Sequence, residues 1–426
     1  MKIAIIGSGI SGNMAAYILN PHHDITLFEK RDRPGGHSAT VDVTFNDGHE
    51  ISVDTGFIVY NDLNYPGLIK LFAELDVQTQ ASDMSFCFSQ NKGALEWSGQ
   101  SLKTIFAQKS NLLRPKFWRM LLDILRFNKE ARRVHEANNL EDLSLKQWLD
   151  LNGYSDAFRT QYLFPMAASI WSMPLEDIGD FPAASLIQFF YNHRLIDRDR
   201  PKWRTVSGGS RHYVHKLISG FAQSIKYNAN IEQIWRSDNG VIVKEGGVEH
   251  KFDKIIFATH SDQALSLLAD PTPQEQALLG AVKYAPNDVY LHSDKDLMPK
   301  RSTVWSSWNY MNEGNDNKAV FVSYWMNLLQ NIPMKYPLFV SLNPSKAPAK
   351  DKTHFHAVYD HPQFDAGAIA AQSTIADRQG ENNTYFCGAW LGYGFHEDGL
   401  RSAVRVCKLI GVEWSDTRID EVIAAQ

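Results

Sequence analysis

Apolar positions along the chain keep three rhythms, and each predicts a different kind of element. The first is an unbroken run, Ile3 to Ile6, the pattern of a short strand buried on both faces. Gly7, Gly9 and Gly12 follow directly. Ile10 to Leu19 then reads as a helix, which Pro21 and the two histidines behind it end. Ile25 to Phe28 reads as a second strand that stops at Glu29, so the chain opens with a βαβ unit. The second rhythm is helical and dominates from about Asp76 to Ser207. There Leu113, Phe117, Met120, Leu121, Ile124 and Leu125 share one helical face. Arg119, Arg126, Lys129 and Arg133 take the other side, and Trp118 and Leu122 leave the main stripe. A further helical stretch runs from about Leu143 to Phe164 and is predicted to end at Pro165.

The third rhythm mixes short strands with helices and returns after Ser207. Tyr213 to Leu217 begins a helix, Ile231 to Trp235 and Gly240 to Val243 read as strands, and Lys254 to Thr259 as another strand before a helix at Asp262 to Leu268. From about Tyr284 to Tyr359 the aromatic and β-branched pieces TVWSSWNY and AVFVSYWM fit a sheet flooring a substrate cavity. A helix around Ala366 to Ile375 leads to a last helix from about Asp398 to Ile410. An α/β chain results, with a Rossmann-like first unit and an α+β insertion.

Length and charge narrow this picture. A chain of 426 residues divides into two or more domains. Its formal charge of −5 argues against a nucleic-acid-binding role. The three cysteines, Cys87, Cys387 and Cys407, are an odd, sparse set without zinc or iron–sulfur spacing, as in a reducing compartment. No charged leader precedes an apolar run, and no apolar run reaches the length of a spanning helix, so a cytoplasmic location is expected. The basic helix over residues 112–135 has two readings: packing on the core with a solvated face, or peripheral contact with the inner face of the plasma membrane.

The chemistry lies in the first unit. Gly7 permits the tight turn, Gly9 lets backbone approach a diphosphate, and Gly12 lets the helix pack on the sheet. Ile10 and Ser11 open a helix whose free N–H groups face that anion. Glu29, 22 residues after Gly7, stands where an acid accepts hydrogen bonds from a ribose diol. Lys30 and Arg33 flank it with positive charge, and Gly35, Gly36 and His37 offer a second close approach of backbone to the same ligand. Asp54 and Gly56 follow an alternating segment that reads as a strand returning to the site.

These pieces resemble a known group, the superfamily of FAD-dependent amine oxidases, protoporphyrinogen oxidases and phytoene desaturases. GSGISG at Gly7 to Gly12 with Glu29, RPGG at Arg33 to Gly36, FDKIIFATH at Phe252 to His260 and YFCGAWLGYGFHEDGLRSAVRV at Tyr385 to Val406 carry the resemblance. It implies an FAD-binding domain from residues 1–75, 205–285 and 376–426, and a discontinuous substrate-binding domain from 76–204 and 286–375. It places Ile231 at the adenine side, and Ala258, Thr259 and Gly388 along the cofactor. Glu397 and Asp398 fall where a helix begins near the flavin, and His37, Tyr393 and His396 become the catalytic candidates. The segment at Cys387 does not resemble the flavin-attaching segment of monoamine oxidases, so noncovalent FAD is expected. GGHS and GYGFHEDG resemble a bacterial branch of predicted NAD/FAD-binding amine oxidoreductases, some of which are linked to fatty-acyl modification beside methyltransferases.

The implied function is an FAD-dependent oxidase or desaturase taking hydride from a carbon of an apolar, fatty-acyl or lipid-like substrate and passing electrons to oxygen or another acceptor. Phe181, Leu186, Ile187, Phe189, Phe190 and Tyr191 are candidates to line an acyl cavity. An amine oxidase releasing peroxide and a flavin-binding scaffold without activity are the alternatives. His354, His356 and His361 lack an acidic or thiolate partner set, and no metal is expected.

Overall fold

A computed structural model of the chain describes residues 1–137, 143–197, 199, 201–314 and 320–414. The last part of the segment 376–426, from residue 415 on, lies outside the described residues. The opening unit forms as the pattern predicts: strand Lys2–Ile6, helix Ile10–Leu19, strand Asp24–Phe28. These strands belong to a five-stranded parallel sheet in the order Ile225–Lys226, Asp24–Phe28, Lys2–Ile6, Lys254–Phe257, Thr384–Phe386. Ile3, Ile5, Leu27 and Ile256 are buried on this sheet, as continuous apolar runs require of a sheet covered on both faces. Helices Ile10–Leu19 and His396–Ile410 pack together on one face.

A second, mixed sheet has seven strands in the order Thr353–Gln363, Lys283–His292, Phe339–Leu342, Phe321–Trp325, Trp308–Asn312, Phe86–Gln90, Leu95–Ser98. Helices Pro115–Glu136, Leu145–Leu151, Phe164–Trp171 and Ala183–Asn192 share one aromatic core with its far end. Phe127 anchors that core, its ring 5.4 Å from Phe158 and 6.0 Å from Phe190. The whole is a Rossmann-like unit joined to a separate α+β unit.

Four expectations need correction. Strands Thr79–Ala81, Phe86–Gln90 and Leu95–Ser98 occupy a stretch assigned to helices. Asn91, Lys92 and Gly93 all take positive φ there and turn the last two into a hairpin. The helical stretch does not stop at Pro165, which sits in the first turn of Phe164–Trp171 behind a wide π-type turn over Arg159–Leu163. The final helix begins at His396, two residues before Asp398. Leu113 and Leu125, placed on the apolar stripe, are exposed: the buried face is Phe117, Met120, Phe127, Ala131 and Val134, and Leu113 precedes the helix, so the helical period does not govern it. Among the described residues no helix is long and apolar enough to cross a membrane.

Candidate active site

Parallel strands all deliver their carboxyl ends to the same edge, and that edge gathers segments far apart in sequence. After Lys2–Ile6 comes Gly7, after Asp24–Phe28 comes Glu29, after Lys254–Phe257 come Ala258 and Thr259, and after Thr384–Phe386 comes Gly388; all of them line one cavity of about 770 Å³. Gly7 has φ +98°, and a Cβ there would lie 2.8 Å from the Ala258 carbonyl oxygen. A Cβ on Gly12 would fall 1.8 Å from the Gly7 oxygen, so Gly12 serves packing and does not line the cavity. Gly9 differs: a Cβ there meets no protein atom within 4 Å and would stand in the cavity itself. Gly36, at φ +58°, packs directly against Gly9, where its own Cβ would come 3.0 Å from the Gly9 Cα. The Gly35 N–H donates to the Ser8 oxygen at 2.8 Å and ties the two glycine segments together. Ile10, Ser11, Lys30, Gly56 and Ile231 complete this part of the lining.

Glu29 is fixed before any ligand arrives. Its carboxylate accepts from the Ser8 N–H at 3.0 Å, the Ser8 hydroxyl at 2.5 Å and the Arg31 N–H at 2.8 Å, and it still faces the cavity. A bare-backbone cradle with an ordered acid at its rim is the fit a dinucleotide diphosphate and ribose require. His37 stands beside the cradle, its Nε2 buried without a partner. Burial, and then the neighbouring His361 and His260, pull it down to about 3, so the ring is neutral. Its ring centroid is 5.1 Å from Tyr359, 6.0 Å from His361 and 6.3 Å from His260. His260, stacked on Tyr284 at 4.4 Å, also has an unpartnered buried nitrogen, Nδ1.

The far end of the cavity is built from side chains. Val289, Val340, Leu342, Trp308 and Tyr324 of the seven-stranded sheet face Ile170 and Phe189 of the helices. His193 lies among them, stacked on Phe189 at 4.0 Å and pushed down to about 3 by burial. The charged side chains on the lining are Glu29, Lys30, Arg31 and Asp360, the first three beside the cradle and Asp360 close enough to His260 and His361 to bias both.

Several candidates have other work. Arg33 donates to the Gly36 and Pro34 oxygens and does not reach the lining, where Arg31 stands instead. Asp54 is buried away from the cavity, accepting from the Thr40 and Ser210 hydroxyls, the Ser210 N–H and Gln330; burial raises it to about 6. Glu397, raised by burial to about 7, accepts the Gly67 and Leu68 N–H groups and so caps helix Pro66–Glu74. Asp398 accepts from the Tyr393 and Phe395 N–H groups and folds the chain into the last helix. Tyr393 packs toward Phe189, at 5.8 Å between centroids, outside the lining. His396 does line the cavity, but its ring stacks on Phe57 at 3.9 Å and its Nε2 lies 2.5 Å from the Tyr213 hydroxyl. Of the acyl-cavity candidates only Phe189 lines it. His354 and His356 share the outer face of their strand, on Ser293 and Asp288, while His361, five residues on, takes the opposite face. Sequence reasoning passed over Arg31 and His260 as lining residues and weighed His361 only as a metal ligand; for His260 the signal was its place directly after Ala258-Thr259.

Comparison with known proteins adds a family. The model of the flavin containing amine oxidoreductases matches residues 10–302. A Mycobacterium tuberculosis protein, provisionally named a flavin-containing monoamine oxidase, is 24% identical over 296 residues; the match covers 65% of this chain and 61% of that one. The chain therefore spans under two thirds of that relative's length. Among solved structures, the conjugated-linoleic-acid-producing fatty acid isomerase of P. acnes superposes with a TM-score of 0.69 at 14% identity over 96% of this chain and 98% of that one. Cyclohexylamine oxidase of Brevibacterium oxydans superposes with a TM-score of 0.68 at 14% identity over 99% of each chain. At these identities the superpositions establish the fold.

Proposed function

The chain belongs to the flavin-containing amine oxidoreductase family, and from that premise we propose that it is an FAD-dependent oxidoreductase removing hydride, or its equivalent, from a carbon of an apolar substrate. The observation that carries the reading is one continuous cavity with a glycine cradle at one end and uncharged apolar walls at the other. Residues 1–75, 205–285 and 376–426 form the FAD-binding domain in this reading, and 76–204 with 286–375 the substrate-binding domain. FAD, when bound, supplies the two-electron oxidant. The main chain at Gly9 and Gly36 would hold the diphosphate, Glu29 would accept from the ribose, and Ile231 would lie at the adenine side. The neutral His37 offers a single lone pair or N–H at Nε2 and orients rather than carries charge. Cys387 is buried between the end of strand Thr384–Phe386 and Gly388, off the lining, which supports noncovalent FAD. Oxygen or another acceptor would take up the electrons that FAD receives.

Two substrate classes fit the apolar end. The family and the named amine oxidases favour an amine with an apolar body, bound uncharged against the valine, leucine and aromatic walls, since the carboxylates on the lining are Glu29 at the cradle and Asp360 near His260 and His361. The wall of valine, leucine and aromatic side chains equally suits an acyl chain, and the likeness to a fatty acid isomerase supports that class. Mixing the purified holoenzyme anaerobically with apolar amines and with unsaturated acyl lipids separates them: the true class bleaches the flavin absorbance. Bound flavin that no substrate reduces would favour the flavin-binding scaffold. In acid-precipitated protein the flavin is expected in the supernatant; yellow colour held in the pellet would overturn noncovalent attachment.

A further inference from the structure

We propose that the outer face of helix Pro115–Glu136, with the turn Lys109–Leu113 before it, docks on an anionic bilayer. Its inner face is committed: Phe117, Met120, Phe127 and Ala131 are buried in the aromatic core. The outer face should then be polar, and its middle is not. Trp118, Leu122, Leu125 and Lys129 fall at i, i+4, i+7 and i+11 on one line away from the core. Leu122 and Leu125 are 61% and 67% exposed, and Leu113, in the adjoining turn, is 86% exposed. The patch is held rigid, because the Trp118 indole N–H donates to the Leu112 oxygen at 2.9 Å and its ring lies 5.3 Å from Phe106.

The rim decides the occupant. Residues 102–136 carry nine Lys and Arg against three Asp and Glu, in a chain whose net charge is −5. One of the three acids, Asp123, is buried and shared by Arg119 and Arg126 at 3.2 and 3.1 Å, which fixes both guanidinium groups on one side of the apolar line. Lys116 and Lys129 are exposed beside it. A second copy docked face to face would bring two such cationic rims together, which repulsion opposes. A negatively charged headgroup layer neutralises the rim while its acyl boundary takes the leucines and the tryptophan, the arrangement an interfacial helix needs. Nothing in this inference depends on the reading of the active site.

Sedimentation of the full-length holoenzyme with vesicles tests it. Phosphatidylcholine vesicles containing phosphatidylglycerol are expected to carry the protein down at low salt, pure phosphatidylcholine to do so far less, and added salt to release it. Lys116→Gln with Lys129→Gln is expected to weaken partition by about fivefold per charge. Leu122→Glu with Leu125→Glu is expected to weaken it by at least about tenfold. All four positions are exposed, so flavin content and melting temperature are expected to hold in both variants. Absence of binding to the anionic vesicles at low salt, or binding that both variants leave unchanged, overturns the proposal. So does a dimer of the native chain that the leucine variant dissolves, since the patch would then belong to a second copy.

Discussion

The two ends of the cavity are made of different material. At the cradle end the walls are main chain: Gly36 packs so closely on Gly9 that a Cβ on Gly36 would come 3.0 Å from the Gly9 Cα, a Cβ on Gly9 would stand in the cavity, and Glu29 is locked by Ser8 and Arg31. At the far end the walls are side chains, Val340, Leu342, Trp308 and Phe189 among them, from a sheet and two helices. A backbone cradle tolerates no substitution in its path but is indifferent to its surroundings. A side-chain wall tolerates many substitutions and changes its selectivity with each. One end is built to take a single ligand and the other to be adjusted.

Gly9→Val tests the first half of that contrast with the largest effect. Its φ of −66° suits any residue, and a Cβ there meets no protein atom within 4 Å, so the fold is expected to survive. FAD affinity is expected to fall by about 100-fold or more, because the isopropyl group takes the place of the diphosphate. Titration of the apoprotein with FAD, beside its melting curve, reads both. Gly12→Val should do the reverse: its Cβ would collide with the Gly7 oxygen, and the chain is expected not to fold. Equal flavin affinity in the Gly9 variant and the native protein would break the contrast.

Val340→Phe tests the other half. Val340 sits in the middle of the seven-stranded sheet and faces the cavity. A phenyl ring there occupies substrate space and leaves the cradle untouched. FAD affinity is expected to hold within about twofold, while kcat/KM for the true substrate falls by about tenfold or more. Steady-state rates measured at saturating FAD give the answer. A parallel loss of flavin would show that the two ends are not independent.

This difference in material also explains what could be read from the chain. The cradle was legible because its geometry demands glycine, and glycine at Gly7, Gly9 and Gly12 between an apolar run and a helix has few other uses. The far wall was not, because Val340 or Trp308 lining a cavity has the same composition as Val340 or Trp308 filling a core. Phe190 and Leu186 were candidates for the cavity on the same grounds as Phe189, yet they point into the helical core. Acidic residues misled for a related reason. Asp54, Glu397 and Asp398 sit next to cofactor motifs in sequence, but each satisfies backbone N–H groups that the crowded turns leave bare. Nearness in sequence located the right turns without telling which atom of the turn faces inward.

The smallest expected effect concerns His193, the polar ring of the apolar end. Its ring stacks on Phe189 at 4.0 Å and lies 5.8 Å from Phe395, and burial alone holds it near 3. In the unfolded chain a histidine titrates near 6.5. Since the folded value is the lower one, the stabilising contribution of this neutral ring is complete above pH 6.5. It is lost as pH falls from there toward 3, because the unfolded state takes up a proton that the folded state refuses. His193→Phe keeps an aromatic ring in the stack and removes the titration. Between pH 6 and 4 the unfolding free energy of the variant is expected to depend on pH less steeply than that of the native protein, by at most about 1.4 kcal/mol per pH unit. Urea unfolding at several pH values measures the slope. A slope unchanged by the substitution would mean that His193 takes up its proton as readily in the folded protein as in the unfolded chain, and the far end of the cavity would then accept a cation at acid pH rather than stay the neutral wall on which the choice of an apolar substrate rests.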